Sequence, residues 1–289
     1  MAKVIWMNNY VLHGYGESVA SNVVRLALSE KKISFDYNLV YLESKGDHLK
    51  DDYKKLNPKT LIPTLVVNNK PIPESIDIMK FIDNEHPNQG MSLFPANKDE
   101  EFDQLLDYLF LDDAKELGET FGTTGGGISV PVLGKLLSKR SFFAVLWDYL
   151  KNHGTSKRKP IFVMVRLFSG PPPGLYKKMM TFLAKHLVYT ENYLNHGKKY
   201  IYGDEYTAAD CLLTPLLHRV NEMRFHGVFD GTEFPNLSKY WDTISSRPSY
   251  KEGIIDYETG EWKPVLEDLY GNGPNTYNDL LWSEIEKIK

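Results

Sequence analysis

The chain of 289 residues has a single cysteine, no excess of positive charge and no long apolar run. One cysteine, Cys211, excludes a disulfide within the chain and agrees with a reducing compartment. The net charge of −4 argues against a nucleic-acid partner, because such proteins neutralise phosphates with clustered lysines and arginines. No run of about 18 apolar residues is present, so the sequence predicts no membrane span. It also has no apolar stretch typical of a signal peptide, and we expect a cytoplasmic protein.

The pattern of apolar residues divides the chain into two parts. Up to residue 85, strand-like and helix-like stretches follow one another in the order β-α-β-α-β-β-α, beginning with a strand at 3–8. This order predicts an α/β domain of the thioredoxin type over residues 1–86. A turn-rich linker follows at 87–97. Helical spacing then dominates, which predicts an all-α domain over 98–289.

Apolar residues at helical spacing predict four long helices in the second part of the chain. The predicted ranges are 98–117, 175–194, 207–225 and 237–246. The glycine-rich run at 122–127 indicates a flexible segment, and the prolines at 171–174 exclude a helix there. We therefore predict an inserted helical excursion over about 115–175. Thr207 and Asp210 have the spacing of a capping box at the start of the third helix.

A short segment near the end of the first part carries a candidate binding site. Pro63 stands at the entrance of a predicted strand, where proline cannot donate to the sheet, and this favours a tight turn with a cis peptide bond. The backbone of Ile62 would then face outward and could pair with an extended peptide. Further on, Glu74 could bind an ammonium group, and Ser75 could cap a helix whose N–H groups favour a carboxylate. Together these residues predict a site for an amino-acid head group.

The sequences NPKTLIPTL at 57–65 and PESIDIMKFID at 73–83 resemble the glutathione-site signature of the soluble glutathione transferase superfamily. The resemblance covers residues 3–85, returns near residue 200 and is loose over about 115–175. It implies the glutathione transferase fold, in which a thioredoxin-like domain precedes an all-helical domain. It also implies glutathione as the cofactor and a homodimer.

The resemblance assigns a role to each residue of the candidate site. It implies that Ile62 and Pro63 bind the cysteinyl backbone of glutathione, and that Glu74 and Ser75 hold the γ-glutamyl group.

A second stretch of the first part resembles one class of the superfamily. The sequence KGDHLKD at 45–51 is similar to the theta class, which implies that His48, together with Lys59, holds the glycine carboxylate of glutathione. An imidazole N–H and an ammonium group can both donate to a carboxylate.

The thiol of glutathione needs activation, because a free thiol of pKa roughly 8.5 is only slightly ionised at neutral pH. The segment SVASNVVRL at 18–26 resembles the S-x-x-S/C-x-x-V-R pattern of the zeta class, in which the first serine activates the thiol. That role falls on Ser18, since a hydroxyl at a helix N-terminus favours a thiolate. The link from Asn8 to Gly16 looks longer than is usual in the family, so Tyr15 is a rival hydroxyl donor. Ala20 stands where some relatives have a cysteine, which disfavours chemistry through a mixed disulfide.

The resemblance implies an enzyme in which glutathione thiolate attacks an electrophilic carbon of a hydrophobic small molecule. An apolar wall in the helical domain would hold this molecule, and the candidates are Tyr108, Leu111, His218 and Met223. The second domain resembles the branch of tetrachlorohydroquinone dehalogenase, the ganglioside-induced differentiation-associated proteins and the β-etherases. One alternative is an isomerase, eliminase or ether-cleaving enzyme that uses the same thiolate. Another is an interaction protein without catalysis. The histidines are scattered, and the sequence predicts no metal site.

Overall fold

A computed structural model describes residues 9–289, so the strand predicted at 3–8 lies outside the described residues. The first strand of the described chain is β1 (Tyr10–Gly14), in which buried and half-buried side chains alternate. The prediction of a long link reaching Gly16 is therefore wrong, because a strand occupies most of that link. His13 and Gly14 had masked the alternation in the sequence.

Four strands and three helices form the first part of the described chain. After β1 they are α1 (Val19–Glu30), β2 (Asp36–Leu39), α2 (Asp51–Leu56), β3 (Thr64–Val67), β4 (Lys70–Ile72) and α3 (Ser75–Glu85). The strand order in the sheet is β2-β1-β3-β4, where β1 and β2 are parallel and the other pairs are antiparallel. The thioredoxin-like fold class predicted from the sequence is thereby confirmed.

Helices make up the second part of the described chain. They are α4 (Glu100–Leu109), α5 (Phe121–Ile128), α6 (Val130–Ser138), α7 (Phe142–Trp147), α8 (Arg158–Phe168), α9 (Leu175–Tyr193), α10 (Ala208–Glu222), α11 (Pro235–Ser245), α12 (Pro248–Gly253), α13 (Trp262–Tyr270) and α14 (Asn278–Ile288). Helix α10 is buried along nearly its whole length and packs against α1 of the first part. The predicted capping box of Thr207 and Asp210 is present at its start. No helix in residues 9–289 is long and apolar enough to cross a membrane.

Two predicted features of the second part are wrong. The helix expected at 98–117 ends at Leu109, because Phe110 has an extended backbone and Thr120 caps a new helix. The glycine-rich run at 122–127, expected to be flexible, lies inside the buried helix α5. Its glycines allow close packing: a Cβ atom on Gly122 would lie 2.3 Å from the backbone of Phe110.

The glycines of α5 therefore differ in what an added methyl group would do. We expect Gly122→Ala to lower the free energy of unfolding by about 1–3 kcal/mol, because backbone atoms of Phe110 would have to move. Gly126→Ala is the matched control, since its Cβ would meet only the end of the Leu111 side chain, at 3.3 Å. Alanine is also the better helix former by about 1 kcal/mol. Urea unfolding of both variants measures the difference, and equal stabilities would contradict this packing.

Helices α6, α7 and α8 form much of the predicted insertion and have a small core of their own. Between α7 and α8 the chain makes a π-helical turn at Asp148–Asn152. Buried apolar residues of this segment pack on Leu49 of the first part; they are Val130, Leu137, Val145, Tyr149 and Val165. The segment 130–168, named here the lateral segment, is thus docked onto the α/β domain near α2.

Candidate functional site

Ser18 caps the N-terminus of α1, as predicted. Its backbone is extended, and its Oγ accepts a hydrogen bond from the backbone N–H of Ser21 at 3.2 Å. The side chain is half-buried, and its hydrogen is donated to no group in residues 9–289. The hydroxyl can therefore donate to an anion held at the positive end of the helix.

Tyr15, the rival donor, lies in a different environment. Its ring is buried, and its hydroxyl donates to Oε2 of Glu261 at 2.8 Å. Burial, and then the carboxylates of Glu17, Glu43 and Glu261, raise the pKa of Tyr15 far above its ordinary value. Ser44 donates to the same oxygen of Glu261. Tyr15 is thus joined to the segment before α13, whereas Ser18 presents a hydroxyl at the helix end.

Arg25 holds the turn that leads to Ser18, a role that we did not predict. Its buried guanidinium donates to the backbone oxygens of Tyr15 and Gly16 and, through Nε, to the carbonyl of Gly253 at 2.7 Å. The Tyr257 ring lies 4.6 Å from the guanidinium carbon. Arg25 was visible only as the last residue of the S-x-x-S/C-x-x-V-R pattern. It joins the first turn of the site to residues near the end of the chain.

Arg219 of α10 is a second buried cation that we did not predict. It donates to the backbone oxygen of Glu17 and to the hydroxyl of Ser129, and it stacks on the ring of Trp262 at 4.0 Å. Glu222 pairs with it at 2.9 Å. The turn before Ser18 is therefore fixed from α1 and from α10.

The peptide bond between Ile62 and Pro63 is cis, as predicted. The preceding carbonyl, of Leu61, accepts hydrogen bonds from Tyr53 at 2.6 Å and from Asn57 at 2.8 Å. In contrast, the backbone N–H and C=O of half-buried Ile62 make no hydrogen bond with any described residue. These unpaired groups could pair with an extended, peptide-like ligand.

Glu74 and Ser75 lie at the start of α3, as predicted, although Ser75 does not cap the helix. Ser75 is its first residue, and the capping position is Glu74, which makes no side-chain cap. Glu74 has a φ of 71°, a left-handed conformation that costs a non-glycine residue about 1–3 kcal/mol. Its carboxylate pairs with the ammonium of Lys59 at 2.8 Å. The Glu74 carboxylate thus already binds an ammonium group, that of Lys59, and it lies beside the first N–H groups of α3, which have no side-chain cap.

His48 is covered by the lateral segment. Its ring packs against Tyr149 and His153, and it is 5 % exposed. Burial, and then the charge of a protonated His153, lower the pKa of His48 to about 3, so the ring is neutral at pH 7. Nearby, Gly154 donates its backbone N–H to Thr60 Oγ1 at 2.9 Å. The predicted role of His48 at the glycine carboxylate stays a prediction.

The paired imidazoles make the stability of the protein sensitive to acid. Burial lowers the pKa of His153 to about 4, whereas an unfolded chain binds that proton near pH 6.5. The free energy of unfolding should therefore fall as the pH falls through this window, by about 3 kcal/mol at pH 4 for His153. Burial raises the pKa of Glu43 and of Glu222 to about 7, so these two groups make the protein more stable as the pH falls. Their contribution is present in a His153 variant as well, and it cancels when the variant is compared with the parent.

Urea unfolding between pH 7 and pH 4 checks the contribution of His153. We expect His153→Gln to lose less stability on acidification than the parent protein. Exposed His226 provides the control, His226→Gln, which should follow the parent. Identical pH dependence in the parent and His153→Gln would contradict a neutral, buried His153.

The four residues predicted to form an apolar wall lie near the ends of two helices. Tyr108 and Leu111 lie at the C-terminal end of α4, and His218 and Met223 lie at the C-terminal end of α10. Tyr108 shares a hydrogen bond of 2.6 Å with Nδ1 of His186. Leu111 is half-buried, and Met223 is fully buried. His218 is buried and shares a hydrogen bond of 2.8 Å with the Tyr250 hydroxyl. Three of the four side chains are thus engaged inside the protein, and the wall stays a prediction.

Comparisons with known proteins identify the family of the chain. The family model for the glutathione S-transferase N-terminal domain matches residues 18–85, and the model for the C-terminal domain matches residues 162–248. A maleylacetoacetate isomerase of Dictyostelium discoideum is 40 % identical over 248 residues, which are 86 % of this chain and 94 % of that protein. Glutathione S-transferase Z2 of Arabidopsis thaliana is 25 % identical over 84 % of this chain and 89 % of its own.

Solved structures show the same fold. The beta-etherase LigF of Sphingobium sp. strain SYK-6 superposes with a TM-score of 0.72 at 22 % identity, covering 85 % of this chain and 98 % of the etherase. A maleyl pyruvate isomerase described as zeta class superposes with a TM-score of 0.54 at 19 % identity, covering 86 % and 99 %. The extended match to the Dictyostelium protein and the two domain models establish that the chain belongs to the glutathione S-transferase family.

Proposed function

We propose that the protein is a glutathione-dependent isomerase of small molecules that carry a conjugated cis double bond. The main support is its 40 % identity, over 86 % of the chain, to a protein named maleylacetoacetate isomerase. The hydroxyl of Ser18 at the start of α1 is compatible with this chemistry, because it can stabilise a thiolate.

The proposed glutathione site runs from α1 to α3. Ile62, preceding Pro63, would pair with the cysteinyl backbone through its unpaired N–H and C=O groups. Glu74 would bind the amino group of the γ-glutamyl end, and the N–H groups at Ser75 would bind its carboxylate. The proposal assigns the thiol to the hydroxyl of Ser18.

Glutathione supplies a thiolate that can add reversibly to an electrophilic carbon. Ser18 would stabilise this thiolate by donating its hydroxyl hydrogen, which lowers the pKa of the thiol. The thiolate would add to one carbon of the double bond while the π electron pair moves onto the conjugated carbonyl group; the resulting single bond could rotate, and the same pair would expel the thiolate as the trans double bond forms. Glutathione is therefore not consumed.

Glu74 offers a direct test of the binding site. We expect Glu74→Gln to weaken glutathione binding about 10-fold or more, because the charge-assisted bond to the amino group is lost. Titration calorimetry measures this affinity. Lys59→Met is the informative companion, since Lys59 occupies the Glu74 carboxylate in the structure. Unchanged or tighter glutathione binding by Lys59→Met would support binding of the glutathione amino group at Glu74. Weaker glutathione binding would instead favour the predicted contact of Lys59 with the glycine carboxylate. Unchanged affinity in Glu74→Gln would contradict the site.

The activity is tested by incubating the protein with maleylacetoacetate and a substoichiometric amount of glutathione. Conversion to the trans isomer with all glutathione recovered supports the proposal. A glutathione adduct as the final product would make the protein a conjugating transferase, and glutathione-dependent release of a phenol from an aryl ether would make it an ether-cleaving enzyme. A folded protein that does not bind glutathione would be a non-catalytic interaction protein.

The proposal includes a small-molecule substrate, a homodimer and a cytoplasmic location. The dimer is expected from the family alone, and light scattering of the purified protein tests it.

A further inference from the structure

The lateral segment exposes an unusual amount of apolar surface. Seven of the twelve exposed large apolar side chains in residues 9–289 lie between Phe143 and Phe168. In α7 and the following turn they include Phe143, Trp147 and Leu150, which are spaced four and three residues apart. Side chains at this spacing lie on one face of a helix. Phe143 and Trp147 are 77 % and 62 % exposed.

Helix α8 repeats this pattern. Its residues Ile161, Met164 and Leu167 follow one another at intervals of three, and all are exposed. Helix α8 packs against α7 and against the π-helical turn, so the two exposed rows lie on neighbouring elements. We name these six residues of α7, the turn and α8 the apolar face.

The apolar face is not needed to hold the lateral segment in place. Other residues of the same helices, Val145, Tyr149 and Val165, are buried in the small core that packs on Leu49. The segment therefore has an inner side that anchors it to the protein and an outer side whose six apolar side chains are 43–77 % exposed. An outward cluster of this kind is costly in water and is typical of an interaction surface.

The apolar face lies in a stretch of the chain that is rich in positive charge. Residues 139–168 contain seven lysines and arginines and one acidic residue, although the whole chain has a net charge of −4. Lys139, Lys151 and Lys157 are exposed. The ammonium of Lys151 lies 4.5 Å from the centre of the Trp147 ring. One cation, Lys151, thus lies beside the exposed aromatic side chain of Trp147.

We propose that the apolar face is a docking surface for a membrane that contains anionic phospholipids. Short helices with aromatic and aliphatic side chains on one face, flanked by lysines, insert into the boundary between headgroups and acyl chains. Tryptophan favours this depth, and each lysine near the surface is attracted to anionic headgroups. The local positive charge on an acidic protein selects an anionic surface as the partner. This inference does not depend on the proposed enzyme activity.

Flotation of the full-length protein with vesicles tests the proposal. We expect the protein to float with phosphatidylcholine vesicles that contain phosphatidylglycerol, and to float less with phosphatidylcholine alone. The double variant Trp147→Ser, Leu167→Ser should reduce the vesicle-bound to free ratio at least ~10-fold, because the inserted side chains are lost. Ile288→Ser, at an exposed apolar residue in α14, is the matched control and should bind like the parent.

Charge reversal separates the electrostatic contribution. The triple variant Lys139→Glu, Lys151→Glu, Lys157→Glu should lose the preference for phosphatidylglycerol, at least ~10-fold in partitioning. The control reverses exposed lysines elsewhere, Lys80→Glu, Lys185→Glu and Lys239→Glu, at the same cost in net charge. Equal losses in the two triple variants would overturn the proposal, since net charge alone would then decide binding. Absence of vesicle binding by the parent protein would overturn the proposal too. Dissociation of an oligomer by the double variant Trp147→Ser, Leu167→Ser would also overturn it, because the apolar face would then be a contact between copies of this chain.

Discussion

Ser18→Gly should lower kcat/KM for the glutathione-dependent reaction at pH 7 by about 100-fold, with little loss of stability. The hydroxyl is the only group at the start of α1 that we assign to the thiolate, so its loss should leave the thiol largely protonated at neutral pH. Glycine is a good residue for this test because it costs a helix cap only a few tenths of a kcal/mol. Ser18→Ala would lose the same cap bond at the larger cost of about 1 kcal/mol.

Three measurements distinguish an effect on the thiol from a general loss of function. The thiolate absorbance of bound glutathione should disappear in Ser18→Gly, and the rise of activity with pH should move to higher pH. Glutathione affinity should change little, because the proposed binding contacts are made by Ile62, Glu74 and Ser75. Tyr15→Phe should keep most of the activity, since the Tyr15 hydroxyl donates to Glu261. Loss of the thiolate in Tyr15→Phe with its retention in Ser18→Gly would reverse the assignment.

Arg25→Lys should lower the free energy of unfolding by about 3–5 kcal/mol, a large share of the stability of an ordinary domain. The guanidinium of Arg25 makes hydrogen bonds in several directions and stacks on tyrosine rings, and the ammonium of lysine cannot reproduce that planar arrangement. The buried carbonyls of Gly16 and Gly253 would lose their donor, and the carbonyl of Tyr15 would keep only its hydrogen bond from the backbone N–H of Ser18.

Urea unfolding measures this loss, and limited proteolysis near Gly253 shows whether the segment after α12 has been released. Arg224→Lys is the control, because Arg224 also donates to a backbone carbonyl, that of Gly271, but in an exposed position. We expect it to change stability by less than about 0.5 kcal/mol. A similar small change in Arg25→Lys would show that the turn before Ser18 does not depend on Arg25.

The local part of the site could be predicted from the sequence. Pro63 before a strand, and the helix cap at Ser18, depend on a few neighbouring residues whose conformational preferences are strong. The thioredoxin-like order of strands and helices could likewise be predicted from the periodicity of apolar residues along the chain. Even here Ser75 was misplaced by one position, because the left-handed conformation of Glu74 is imposed by its surroundings and leaves no mark in the composition.

Features that depend on distant contacts could not be predicted. The glycine-rich stretch after Thr120 forms a helix in which the glycines allow Phe110, Leu216 and Met179 to pack closely against it. His48 is buried because a segment about 100 residues later in the sequence lies over it. The role of Arg25 likewise required knowing where Gly253 lies. In each case the residue that determines the structure is distant in sequence, and the periodicity of apolar residues carries no information about such contacts.

The bonds of Arg25 also bear on the order in which the protein is made. The α/β domain emerges first from the ribosome, since domains generally fold as units during synthesis. The carbonyl that accepts from Nε of Arg25 belongs to Gly253, 228 residues later, and the acceptor of the Tyr15 hydroxyl belongs to Glu261. A nascent α/β domain can therefore close its sheet while the turn before Ser18 still lacks these partners. The N-terminal end of α1, with Ser18, therefore reaches its final form only when the last tenth of the chain has been made.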